Sequence, residues 1–168
     1  MEHLRFKGTV LACCWSEDHA RMLWSERVNN DITMEGLTEI LRDFFAGGTQ
    51  KTQWYMGLIA NSGFDGVDIS DTMSSHAGWT EATDYAGTPR PPWTPLDVTS
   101  GIILNTSPIV FVATGTLAVR GLFLCSDSTK GGTAGKLWNR GLFSSVRTIA
   151  AGQSLTVTYT VRAAGGRA

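Results

Sequence analysis

Asp71, Ser74, Ser75 and His76 place an acid, two hydroxyls and an imidazole within one short stretch. A Ser-His-Asp triad draws its members from separate elements, with the acid holding the imidazole. Residues so close in sequence rarely reach that geometry, so the reading is a polar loop with capping hydroxyls. Asp65, Asp68 and Asp71 recur every three residues. A calcium loop needs oxygen ligands at alternate positions and a closing glutamate, and neither is present. His3, His19 and His76 share no metal-ligand spacing, so no metal site is expected. Lys130-Gly131-Gly132-Thr133 lacks the order and the following helix of a phosphate-binding loop and reads as a hairpin tip. Glu81 and Asp84 are the loop carboxylates that a glycan or cell-wall hydrolase could use as a pair. These residues together predict no catalytic centre and no cofactor.

The surroundings of those residues point to a scaffold. The chain has 168 residues, enough for one domain over 1–168 with its own core. Charged residues make up only 17%, below the usual share of about 25%, so the surface is neutral enough to suggest coverage by a partner. A net charge of −1 with no basic stripe argues against nucleic acid. Cys13, Cys14 and Cys125 form neither a disulfide framework nor a zinc pattern, and predict reduced thiols. The apolar run Val10 to Cys14 is too short for a leader or a membrane span, so a soluble cytosolic chain and no membrane partner are expected.

The pattern of the elements is β-rich. Leu155 to Arg162 alternates strictly, with Leu155, Val157, Tyr159 and Val161 on one face and Thr156, Thr158, Thr160 and Arg162 on the other. Tyr159→Ala is therefore expected to destabilise and Thr158→Ala to do little. Phe6–Trp15 and Met22–Val28 read as a hairpin, with Trp15 and Trp24 facing one another across it; this arm spans 1–32. Met34, Leu37, Ile40, Leu41, Phe44 and Phe45 fall on one helical stripe and predict an amphipathic helix over 33–46, its outer face covered by Thr38, Glu39, Arg42 and Asp43. Gln53 to Ala60 is a continuous apolar strand covered on both faces. Residues 61–97 form a long loop in which Pro89, Pro91, Pro92 and Pro95 oppose regular pairing. Trp79, Tyr85 and Trp93 should pin it to the body, and with Arg90 they are the candidate interface residues. Further strands follow over 98–162. Gly-Leu-Phe recurs at 121–123 and 141–143 without establishing a repeat. The expected fold is mainly β, an antiparallel β-sandwich or jelly roll.

Several motifs carry a resemblance. They are Trp54-Tyr55-Met56-Gly57-Leu58-Ile59, Asp71-Thr72-Met73-Ser74-Ser75-His76-Ala77-Gly78-Trp79-Thr80-Glu81, and Ser126-Asp127-Ser128-Thr129-Lys130-Gly131-Gly132 ahead of Leu137-Trp138 and Leu142-Phe143. With the opening strand pair, Asn29-Asn30 and the helix, they resemble small virion structural proteins of tailed bacteriophages. The resemblance covers most of the chain. It implies a non-enzymatic particle component made in the host cytoplasm. Within that family, capsid decoration or cement proteins are small β modules that clamp the major capsid protein. A homo-oligomer on the capsid surface is thus expected, although no trimer-forming signature is present. The alternative is a tail- or fibre-associated protein that binds a receptor or glycan through exposed loop tryptophans.

Overall fold

The computed structural model describes residues 2–167. Its strands are β1 (Glu2–Trp15), β2 (Met22–Ile32), β3 (Trp54–Ala60), β4 (Glu81–Ala82), β5 (Pro92–Trp93), β6 (Ile102–Leu104), β7 (Ile109–Val112), β8 (Leu117–Cys125), β9 (Leu137–Ile149) and β10 (Ser154–Arg167). Helix α1 (Met34–Phe45) is the only helix among the described residues, and it is too short to cross a membrane. The strands form one antiparallel sheet in the order β4-β3-β8-β9-β2-β1-β10-β6, with β5 on β3 and β7 on β10. The chain is mainly β and antiparallel, as its alternation predicted.

The sheet has two halves joined at a narrow seam. Asp31 and Ile32 of β2 pair with Arg140 and Asn139 of β9, and that is the whole β2–β9 ladder. One core lies between the halves: Val10, Val28, Leu155 and Val157 come from one, Met56, Leu58, Leu122 and Phe143 from the other. A continuous sheet folded over its own core in this way is compatible with the expected sandwich or jelly roll. The face assignment of β10 holds to the residue, with Leu155, Val157 and Tyr159 fully buried and Arg162 exposed. The apolar β3 is covered on both faces as expected: Met56 and Leu58 join the main core, while Ile59 joins a second cluster with Met73, Trp79, Phe123 and Leu137.

The repeated Gly-Leu-Phe has a local cause. Leu122 sits opposite Gly141, and Gly121 opposite Leu142. A Cβ on Gly121 would lie 2.2 Å from the Gly141 carbonyl oxygen, so β8 and β9 approach here only because the side chain is missing. Two other expectations change. Trp24 is paired with Cys14 in register and packs edge-on against Phe143 at 5.8 Å, while Trp15 donates to Thr156 Oγ1 at 3.0 Å. The two tryptophans therefore do not face each other. In the 61–97 loop, Pro92 pairs with Tyr55 and Trp93 with Trp54, because a two-residue strand at an edge needs no amide from the proline.

The helix is seated differently from the simple amphipathic expectation. Thr33 caps it, accepting from the Gly36 amide at 3.1 Å. A Cβ on Gly36 would come within 2.5 Å of the Trp138 carbonyl, so the helix backbone lies directly on β9. The Glu35 carboxylate accepts from the amides of Leu137 at 2.8 Å and Met73 at 3.1 Å. Glu39, assigned to the outer face by its type, is 3% exposed and holds Lys51 at 3.0 Å and Arg42 at 3.2 Å. The polar edge thus shares the seat with Leu37 and Ile40, which pack against the main core. Met34, Leu41, Phe44 and Phe45 are 52%, 60%, 80% and 76% exposed.

That seat predicts acid sensitivity. Burial pushes the Glu39 carboxyl up, but the hydrogen bond and charge of Lys51, with Arg42 and Lys136, bring it below its ordinary value. Glu26 is likewise held low, against burial, by the Ser144 amide and Arg147. The folded chain then binds fewer protons in acid than the unfolded one. The stability from these groups is complete above the unfolded glutamate value of about 4.3 and drains as pH falls below it. The urea midpoint is expected to hold between pH 7 and 5 and to drop by pH 3. A midpoint unchanged at pH 3 contradicts this account of the seat.

Candidate functional site

The 61–97 segment was expected to carry the contacts, and its side chains are mostly committed inward. Arg90 is 1% exposed. Its Nε donates to Glu81 Oε1 at 3.0 Å, and its Nη2 to Glu81 Oε2 at 2.9 Å and the Gly132 carbonyl at 2.7 Å. Its Nη1 donates to the Asp127 carbonyl at 2.9 Å and to Cys125 Sγ at 3.3 Å, and the guanidinium lies 5.2 Å from the Phe123 ring centre. One cation therefore ties the loop to the 126–133 hairpin tip. Burial pushes the Cys125 thiol up to about 11 despite Arg90 beside it, so it is not a ready nucleophile. Burial and the Glu81 carboxylate also push the Tyr85 hydroxyl well above its ordinary value.

The aromatic residues pin the rest of the loop. Trp79 Nε1 donates to Asp71 Oδ2 at 2.9 Å, and the indole stacks under His76 at 3.9 Å between ring centres. Tyr85 packs edge-on against Phe111 at 5.0 Å, with Lys130 Nζ 3.9 Å from its ring centre. Trp93 lies 5.7 Å from Tyr159 across the core. Trp79, Tyr85 and Trp93 are pins, as the pattern suggested. As interface residues all four candidates need correction: Trp79, Tyr85, Arg90 and Trp93 are at most 6% exposed and present no contact surface on the chain. Their size and their polar handles drew them inward, where each handle finds a partner.

The chemistry-bearing residues are spent in the same way. Asp71 also accepts from the Asp68 amide at 2.9 Å, and Asp68 caps Ser70. His76 Nδ1 meets the Trp79 carbonyl at 3.0 Å, while Ser74 bonds Thr72. The Glu81 carboxylate is shared among Arg90, the Tyr85 hydroxyl and the Gly131 amide, with Asp84 exposed on the loop. His19 meets Ser154 Oγ at 3.0 Å in the β1–β2 turn, and the side chain of His3 lies outside the described residues. Among the described residues no group of three His, Cys, Asp or Glu side chains could hold a metal ion. The three cysteines are free thiols.

Two exposed features remain as contact surfaces, and neither was singled out by residue type. The first is the outward face of α1. The second is a two-stranded ribbon. β2 leaves β1 after Gly8↔Asn30, and β6 leaves β10 at Ile102↔Arg162. Beyond those points β1 and β10 continue to pair with one another, through Lys7↔Arg162 to Glu2↔Arg167. The Ala163 amide still bonds the Gly101 carbonyl at 2.8 Å, so among the described residues the β10 edge lacks a neighbouring strand only from Ala164 outward, and the β1 edge from Lys7 outward. Between ribbon and helix lies an open apolar cleft of about 240 Å³, lined by Phe6, Ile40, Trp54, Ile103 and Trp138 among others. No protein-family model matches this chain, and no curated protein matches it.

Proposed function

We propose that this protein is a non-enzymatic structural component of a tailed-bacteriophage particle, a decoration protein that self-associates and binds the assembled shell of major capsid protein. The observation that carries the reading is the ribbon. An open strand edge is a template for pairing with another chain, and proteins that act alone usually blunt or cover it. Here, among the described residues, the ribbon has no neighbouring strand on the β1 edge from Lys7 outward or on the β10 edge beyond Ala163. Repeated over a symmetric shell, modest contacts of this kind add up by avidity and stabilise the assembled state by mass action. The reading that places the protein at the tail relied on exposed loop tryptophans, and Trp79 and Trp93 are buried.

Copy number tests the proposal. Densitometry of purified virions is expected to give a copy number comparable to that of the shell subunit. A count of only a few copies per particle overturns the decoration role.

A further inference from the structure

We propose that the outward face of α1 is a self-association surface on which a second copy of this chain lays its own α1 in antiparallel orientation. This inference gives the self-association in the reading above a surface, and rests on that reading only to that extent.

Spacing is the first support. Met34, Leu37, Leu41 and Phe44 recur at three, four and three residues, the seam along which one helix packs on another. Met34, Leu41 and Phe44 are turned away from the protein's own core, and Leu37 is half-buried at its margin. Gly36 and Glu35 fix the opposite edge to β9 by close backbone approach and a bond from the Leu137 amide, and Glu39 ties it to Lys51, so Met34, Leu41 and Phe44 stay outward. A buried carboxylate is an expensive way to seat a helix whose apolar stripe could have been turned inward.

What the partner helix meets is the second support. A two-fold axis at Leu41 places the partner's Phe44 and Phe45 beside Leu37. There the surface opens into a mixed cleft of about 430 Å³, in which Phe6, Ile32, Leu37 and Ile69 are bordered by Asn29, Asn30 and Asp31. A closed apolar cavity of about 150 Å³ already accepts a benzene ring, so this cleft has room for the Phe pair. The cleft's rim carries the exposed Arg5 and Lys7, and the exposed Asp31 beside them is paired with Arg140 at 3.1 Å. The C-terminal end of the partner helix, with its free carbonyls and negative dipole end, arrives at that rim with opposite charge. The seam itself carries no charge. The two phenylalanines, at 80% and 76% exposure and roughly 150–250 Å² each, contribute about 300 Å² per copy. Doubled by symmetry and extended by Leu41 and Met34, the patch approaches the ~1,200 Å² at the lower end of specific interfaces.

Sedimentation velocity on the purified full chain, from about 1 to 200 μM, tests this. The wild type is expected to convert from monomer to dimer over that range. Phe44→Ser with Phe45→Ser is expected to stay monomeric throughout while keeping the circular dichroism spectrum and melting temperature of the wild-type monomer. Leu41→Glu, which sets two carboxylates at the axis, is expected to do the same. A wild type that stays monomeric at 200 μM overturns the proposal, including the case where the same variants lose binding to particles, which assigns the face to the shell protein. A dimer that persists in both variants also overturns it, and moves the contact to the ribbon edge. Because the readout needs no particles, its failure is separate from a failed copy-number count.

Discussion

Arg90→Met is expected to lower stability by about 3–5 kcal/mol, the range for breaking a buried ion pair from one side. The variant leaves Glu81, whose side chain is 5% exposed, without its cation. It also strips the carbonyls of Asp127 and Gly132 of their donors. Urea unfolding followed by tryptophan fluorescence measures the loss. The double variant Glu81→Met with Arg90→Met removes the stranded charge and should regain part of the loss, but not the part owed to the carbonyls. The damage should also be local: limited proteolysis under native conditions is expected to cut within 61–97 much faster in Arg90→Met than in the wild type. An Arg90→Met protein with wild-type stability and a protease-resistant loop means that the aromatic pins alone hold the segment.

Tyr159→Ala is expected to cost about 4 kcal/mol, and Tyr159→Phe about 1–3 kcal/mol. The ring is fully buried at the centre of the core. Its hydroxyl accepts from Trp138 Nε1 at 2.9 Å, Asn139 Nδ2 at 2.6 Å and Asn30 Nδ2 at 3.4 Å. Burial keeps that hydroxyl protonated far above its ordinary range. The alanine variant therefore opens a cavity and strands donors from both halves of the sheet, since Asn30 comes from β2 and Trp138 and Asn139 from β9. For a chain of this size the loss corresponds to a melting temperature lower by roughly 8–16 °C. Thr158→Ala, one residue away on the other face, should change it by no more than a degree or two. Equal melting temperatures for the alanine variants at 158 and 159 would reverse the face assignment of β10.

The contrast between β10 and α1 shows what was legible. In β10 the period of two and the burial agree because the strand's own residues decide which face is apolar. In α1 the apolar stripe is split, with Leu37 and Ile40 packed on the core and Met34, Leu41, Phe44 and Phe45 exposed, since its direction depends on partners distant in sequence. Lys51, Lys136 and the Leu137 amide receive Glu39 and Glu35, and no local pattern announces them. Gly36 was the available clue, a small residue in mid-helix where a backbone must approach. The loop shows the same division. Trp79, Tyr85 and Trp93 were legible as pins from their size amid polar residues. The destination of Arg90 was hidden, because its partners at 81, 127 and 132 are assembled only by the fold. The ribbon escaped notice for a different reason. Ala163, Ala164 and Gly165 have no strand preference of their own and pair because β1 continues the register.

The pairing of β1 with β10 sets a schedule for synthesis. The Trp15–Thr156 contact spans 141 residues of sequence, so the first strand made waits for the last. At roughly 5–20 residues per second on the ribosome the wait is about 7–30 s. Throughout it the β1–β2 hairpin lacks Leu155, Val157 and Tyr159, the β10 residues that complete its half of the core around Val10, Ala12 and Val28. Closing so long a loop is also slow for entropic reasons. Nascent chains should therefore depend on chaperones until β10 emerges, and their yield should fall when synthesis outpaces chaperone supply.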